Sequence, residues 1–182
     1  MDPKQPQRHI SIVPVDEVET LKDIKTLIVA DQGVGKTVLA ATLAVQQPRG
    51  LHIDVDGGAK SLVSPYAKSK GISSSNLDTV QIHSLDDLRQ VWTDVVKVKK
   101  YRTVIIDSLS MLHESVTGQI MSERGIDTME QRDWGTLRNR MFKFANVIFN
   151  TEGINVICTA HMRKKESPLD GSEKWYPNLT GQ

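Results

Sequence analysis

One short block constrains this chain more than any other: Ala30-Asp31-Gln32-Gly33-Val34-Gly35-Lys36-Thr37. The apolar run Thr26-Leu27-Ile28-Val29 leads into it, and an alanine-rich helical pattern from Val38 to Gln47 follows. Strand, glycine-containing loop and helix make the setting that a phosphate-binding P-loop requires. Backbone N–H groups of such a loop and of the helix start point at a β-phosphate. Asp31, Gln32, Gly33, Val34, Gly35, Lys36, Thr37 and Val38 are therefore the candidate nucleotide-binding residues. Lys36 would reach the β- and γ-phosphates of ATP, and the Thr37 hydroxyl would ligate Mg2+. Gly33 and Gly35 permit backbone conformations and a close approach that a Cβ would obstruct. The first glycine of G-x-x-x-x-G-K-[ST] is replaced by Ala30, at a position that ends the strand and does not wrap the phosphate.

The other strands are read from apolar runs. Leu51 to Asp56 is a second strand, followed by Gly57-Gly58, with Asp54 and Asp56 projecting to one face. Asp56 falls at the C-terminal end of that strand, where α/β sheets place their ligands. Residues 59–76 read as a helix or lid, and Thr79 to His83 as a third strand. Ser84-Leu85-Asp86-Asp87 resembles a capping box, and Leu85, Leu88, Val91, Trp92 and Val95 follow at helical spacing as a core stripe. Lys97, Lys99, Lys100 and Arg102 form a basic run at the far end of the next strand and read as a solvated turn.

Thr103-Val104-Ile105-Ile106-Asp107-Ser108 is the second strong signal. A buried strand ending in Asp, one α/β unit after the P-loop, is a Walker B pattern whose carboxylate would hold Mg2+ through water. Residues 109–133 lack a clean period and read as a long irregular connection. Asp133-Trp134 opens an amphipathic helix with Trp134, Leu137, Met141, Ala145 and Ile148 on one face. Ile154 to Ala160 is another buried strand, with His161 at its ligand edge, placed to bond a γ-phosphate or the attacking water. Residues 162–174 read as a mobile polar loop, and Trp175 to Asn178 restart order.

Composition narrows the class. The 182 residues fit one domain, expected as a loose tail over 1–8 and a core over 9–182. The net charge of +1 does not by itself announce a nucleic-acid binder, so any DNA contact must come from a local patch. The single cysteine, Cys158, excludes a disulfide framework or a cysteine zinc site, and the five histidines show no metal-ligand spacing. No apolar run approaches the roughly 20 residues of a membrane span, and the polar, Pro-containing start is unlike a secretory signal. A cytoplasmic location is the default.

Four blocks in order carry a family resemblance: Gln32 to Thr37, Ile53 to Gly58, Val104 to Ser108, and Thr159-Ala160-His161, with Asp133-Trp134-Gly135 and Tyr176-Pro177-Asn178-Leu179 in support. The chain resembles the phage-encoded RecA-like P-loop ATPases, especially the Sak-type single-strand annealing group. The resemblance implies an α/β fold, a mainly parallel twisted sheet flanked by helices, with the His161 strand between the P-loop and Asp107 strands. It implies ATP and Mg2+ as cofactors and places Asp56 at the catalytic carboxylate position, where this class more often has Glu. Lys36, Asp56, Asp107 and His161 become the catalytic candidates, with Thr37 and Asp107 at the metal. It further implies single-stranded DNA binding by 109–133 and 162–174, assembly into a homo-oligomeric ring or filament, a phage single-strand-binding protein as a possible partner, and the host cytoplasm as the location. A neighbouring subunit would supply an Arg or Lys to the γ-phosphate; Arg163, Lys164 and Lys165 are nearest by position. The stop soon after Pro177 is earlier than the family leads one to expect, so the core reads as short or truncated. A nucleotide-switched binding module or loader with slow hydrolysis is the alternative reading, and a small-molecule kinase, lacking a recognisable lid, is a third.

Overall fold

The computed structural model describes residues 23–45, 49–166 and 173–177. The tail at 1–8, the strand expected at His9 to Val13, most of the turn after it, the helix-ending Gln46-Gln47-Pro48 and the stretch Asn178-Leu179 lie outside the described residues.

Short apolar runs alternate with helices along the chain, and that alternation builds a parallel sheet. The strands are β1 (Lys25–Ala30), β2 (Gly50–Asp54), β3 (Leu77–Gln81), β4 (Thr103–Asp107) and β5 (Asn155–Glu166). Their spatial order is β1-β5-β4-β2-β3, and every pair along it is parallel. A sixth strand, β6 (Glu173–Pro177), pairs antiparallel with the far half of β5. The His161 strand thus lies between the P-loop and Asp107 strands, in the order the family resemblance implies.

β2 and β4 are buried along their whole length, so residues of opposite parity serve opposite faces. Leu51, Ile53, Val104, Ile106 and Val156 pack on one side against helices α3 (Leu85–Val98), α4 (Leu109–Arg124) and α5 (Gln131–Phe149). On the other side, Ala40, Ala41 and Ala44 of α1 (Lys36–Ala44) cluster with Ile105 and Ile157. Small residues bring α1 close to the sheet, so that its first turn stands beside the end of β4. A 3-10 turn (Gly58–Val63) and the short α2 (Pro65–Ser69) fill the expected helix-or-lid region. The capping box is present: Ser84 accepts from the Asp87 N–H, and the Asp87 carboxylate accepts from the Ser84 N–H. Trp92 is core, edge-to-face with Phe144 at 6.4 Å.

Three sequence readings change. Residues 109–133 are not an irregular connection: α4 occupies 109–124, and α5 begins at Gln131 rather than Asp133. Leu112, Val116 and Ile120 do form a helical stripe, diluted in the sequence by the buried polar Ser110 and by Gly118. Residues 162–166 are not a loop but the continuation of β5, and residues 173–177 form β6. The third strand runs from Leu77, two residues earlier than expected.

The basic run is partly tied down. Asp78 of β3 accepts from Arg49, from Lys100 at 2.9 Å and from Tyr101 at 2.7 Å. These hydrogen bonds, Arg49 foremost, hold its carboxyl well below the usual carboxylate range. A carboxylate depressed in the folded state stabilises above its unfolded pKa, and that contribution fades as the pH falls toward the folded value. Asp78→Asn is therefore expected to lower the melting temperature at pH 7, with the difference from wild type shrinking below about pH 4. A difference independent of pH would contradict this reading.

Candidate functional site

The C-terminal ends of β1 and β4, the start of α1 and the middle of β5, where the strand runs on past His161 instead of ending there, meet at one edge of the parallel sheet, where open α/β folds bind their ligands. β1 stops at Ala30, and the loop turns through Gly33 (φ +81°) and Gly35 (φ +93°) into α1. No side chain caps this helix; Gly35 stands at its N-cap in the left-handed region that glycine adopts freely. Asp31, Gln32, Gly33 and Val34 are exposed, Lys36 is buried, and Thr37 and Val38 are half-buried. The Lys36 ammonium donates to the carbonyls of Ala30 (3.1 Å) and Asp31 (2.8 Å), which hold it over the loop. Ala30 contributes here through its carbonyl, which does not require a glycine.

Asp107 is 1% exposed and accepts three hydrogen bonds. Thr37 Oγ1 donates to its Oδ2 at 2.5 Å, His52 Nε2 lies 3.3 Å from the same oxygen, and Thr159 Oγ1 donates to Oδ1. Burial pushes the Asp107 carboxyl up, but the bonds from His52, Thr159 and Thr37 outweigh it and hold the group below its ordinary value. The Asp107–Ser108 peptide is cis, and the Ser108 side chain caps α4.

The carboxylates at the end of β2 and just beyond it do different work. β2 ends at Asp54, so Asp56 lies two residues beyond the strand rather than at its end. Asp54 is buried and accepts from the N–H groups of Gly57 (2.8 Å), Gly58 (2.9 Å) and Ala59 (3.0 Å), which fixes the turn. Asp56 accepts one bond, from the Gly58 N–H at 3.0 Å, and its other oxygen lies 3.7 Å from His161 Nε2. Burial and the nearby Asp107 charge raise the Asp56 carboxyl above its ordinary value, against the pull of the Gly58 N–H and His161. His161 is held from behind, its backbone N–H donating to Ser110 Oγ at 2.9 Å. That bond explains a serine on the buried face of α4.

Gly58 is a contributor that sequence reasoning missed. A Cβ there would lie 2.9 Å from Asp56 Oδ1, 3.4 Å from Thr37 Oγ1 and 3.5 Å from Asp107 Oδ2. The bare backbone lets three oxygen-bearing side chains from three segments converge. Gly58→Ala is expected to push Asp56 aside and reduce nucleotide turnover by about tenfold or more, while nucleotide affinity stays near wild type. Unchanged turnover would show that the convergence at Gly58 is not needed.

Thr37 Oγ1 and Asp107 Oδ2 make a hard oxygen donor pair, which suits Mg2+, and Asp56 Oδ1 lies alongside it. Among the described residues no group of three or more His, Cys, Asp or Glu converges as a protein-only metal cage. Mg2+ fits that pattern, because it takes one or two carboxylates and completes its shell with phosphates and water. When bound, it would neutralise charge developing on the β- and γ-phosphates. Burial pushes the Cys158 thiol up to about 12. No helix among the described residues is long and apolar enough to cross a membrane.

His52 was also missed, because it reads as one member of a buried strand. Its signal is parity: His52 and Asp54 are the polar residues of an otherwise apolar run and share the α1 face. A family model described as an AAA domain matches residues 22–182, most of the chain. No curated relative matches it.

Proposed function

The chain belongs to the AAA-domain family of P-loop ATPases, and from that premise we propose that it hydrolyses ATP in the service of single-stranded DNA pairing or annealing in phage recombination. The observation that carries the hydrolytic half is the convergence of Thr37, Asp107, Asp56 and His161 beside the P-loop. In this reading the loop N–H groups and Lys36 bind the phosphates, and Thr37 and Asp107 hold the Mg2+ site. Asp56 orients the water in line with the γ-phosphate, and His161 reports whether that phosphate is present. Asp56→Asn is expected to keep ATP affinity and to lose turnover by about 100-fold or more. Unchanged turnover would remove Asp56 from this role.

The DNA half rests on the resemblance to the Sak-type group and on the path of β5. One strand carries His161 beside Asp56 and, two and three residues on, Arg163 and Lys164. A shift of His161 on γ-phosphate loss would be transmitted along that strand to cations suited to DNA phosphates. The hairpin of β5 and β6 replaces the loop as the segment proposed to contact DNA. The expected result is binding of a fluorescent single-stranded oligonucleotide that is tighter with ATP than with ADP and weakens with salt. Equal affinity in the two nucleotide states would contradict this coupling. Assembly of several copies, with an Arg or Lys from one reaching the ATP of the next, belongs to the same proposal. Exposed Leu27, Phe142 and Phe149, which border an apolar groove of about 640 Å3 away from the Thr37–Asp107 cluster, support an assembly surface.

A second reading, a slow nucleotide switch that recruits a protein partner, is favoured by the raised Asp56 carboxyl and its engagement with the Gly58 N–H. It predicts tight ATP binding with negligible turnover and partner capture only in the ATP state.

A further inference from the structure

A string of polar side chains crosses four strands of the sheet on the α1 face. Thr79 of β3, His52 of β2, Asp107 of β4 and Thr159 of β5 are joined side chain to side chain. His52 is fully buried, and Thr159 is fully buried with it. A buried imidazole with neither nitrogen idle has its orientation and tautomer set by its partners. Asp107 Oδ2 is an acceptor, so His52 Nε2, 3.3 Å away, carries the proton. In the neutral ring Nδ1 is then the acceptor, and the Thr79 hydroxyl, 3.1 Å away, donates to it. The register explains the reach: His52 stands opposite Thr79 on one side and Ile105 on the other, so its ring leans forward past Ile105 to Asp107.

We propose that His52, its ring anchored by Thr79, is the positioning residue that aims Asp107 Oδ2 at the Thr37 hydroxyl and so sets the Mg2+ requirement for nucleotide binding. The inference rests on the reading of Thr37 and Asp107 as the Mg2+ site. Asp107 could otherwise rotate about its side-chain torsions. Thr159 fixes one oxygen and His52 the other, so the carboxylate plane is pinned from both flanks and the remaining lone pair of Oδ2 faces the P-loop. Partners that orient a metal-ligating group in this way commonly change metal affinity by about 10- to 100-fold when removed. Thr79 lies on the strand at the end of the described order, on an exposed stretch of β3. The Mg2+ site is thereby tied to a residue two strands away.

The test measures affinity for a fluorescent ATP analogue as Mg2+ is titrated, with a parallel series in EDTA, so the readout is binding and not turnover. In His52→Leu the Mg2+ concentration that tightens binding should rise by about 10- to 100-fold, while the EDTA affinity stays within about twofold of wild type. His52→Gln, which restores a donor toward Asp107, should recover most of the loss. Thr79→Val suits a strand and removes only the hydroxyl, and should raise the Mg2+ requirement by a few fold. If His52→Leu fails to fold, Thr79→Val and His52→Gln decide the matter. A wild-type Mg2+ requirement in both His52→Leu and Thr79→Val would overturn the inference, as would an EDTA affinity that falls as far as the Mg2+ affinity. Wild-type protein whose nucleotide binding ignores Mg2+ would instead refute the assignment of the metal site itself.

Discussion

Lys36→Ala is expected to reduce ATP affinity by at least about 100-fold, with turnover lost in proportion. Charge-assisted hydrogen bonds contribute about 1.5–3 kcal/mol each, and an ammonium that reaches two phosphates makes at least two of them. No other residue of the loop can substitute, since Asp31, Gln32, Gly33, Val34 and Gly35 include no second cation and Asp31 carries the wrong sign. The fold should survive. The carbonyls of Ala30 and Asp31 that lose their donor border the exposed loop, where water replaces it. The melting temperature without nucleotide should therefore stay close to wild type while the stabilisation given by ATP disappears. Retained ATP affinity, measured by calorimetry, would refute the P-loop assignment.

The second large effect is expected at Asp107. Asp107→Asn keeps the shape and removes the charge, and turnover should fall by about 100- to 1000-fold. The fold again should be spared, for a reason specific to its neighbours. An asparagine Oδ1 can still accept from Thr159, and its Nδ2 would then face His52 and Thr37. His52 can move its proton to Nδ1 and donate to Thr79, whose hydroxyl can accept as well as donate. The Thr37 hydroxyl likewise rotates to accept. Each buried group keeps a partner, so the desolvation penalty of an orphaned donor, about 1–3 kcal/mol, is avoided. The expected result is an intact melting transition with turnover that no longer responds to Mg2+. Turnover with the wild-type Mg2+ dependence would show that Asp107 closes a strand and nothing more.

Much of this architecture can be read before any coordinates. The P-loop unit declares itself because its backbone torsions demand glycine at Gly33 and Gly35, and its lysine and threonine have few other uses at that spacing. β4 declares itself because Val104, Ile105 and Ile106 run apolar into Asp107, one α/β unit after the P-loop. The Ser84 capping box is legible because its donors and acceptors are local. What stays hidden depends on partners distant in sequence. Ser110 interrupts the apolar stripe of α4 only because the His161 N–H needs an acceptor, so the helix loses its period to a contact 51 residues away. Past His161 the run Arg163-Lys164-Lys165-Glu166 has no apolar alternation, and its strand character comes from pairing with β6. Asp54 and Asp56 look alike in sequence. They separate in the fold because three backbone N–H groups turn back onto Asp54 and leave Asp56 beside Asp107 and His161. Gly58 matters through the Cβ it lacks, which no pattern of residue types records.

The most direct test of the proposed activity is steady-state ATP hydrolysis with and without single-stranded DNA, at low and at moderate salt. A nucleotide site coupled to a phosphate-contacting strand predicts clear stimulation by DNA that weakens as salt rises. Hydrolysis unchanged by DNA, together with no DNA binding at low salt, would contradict it.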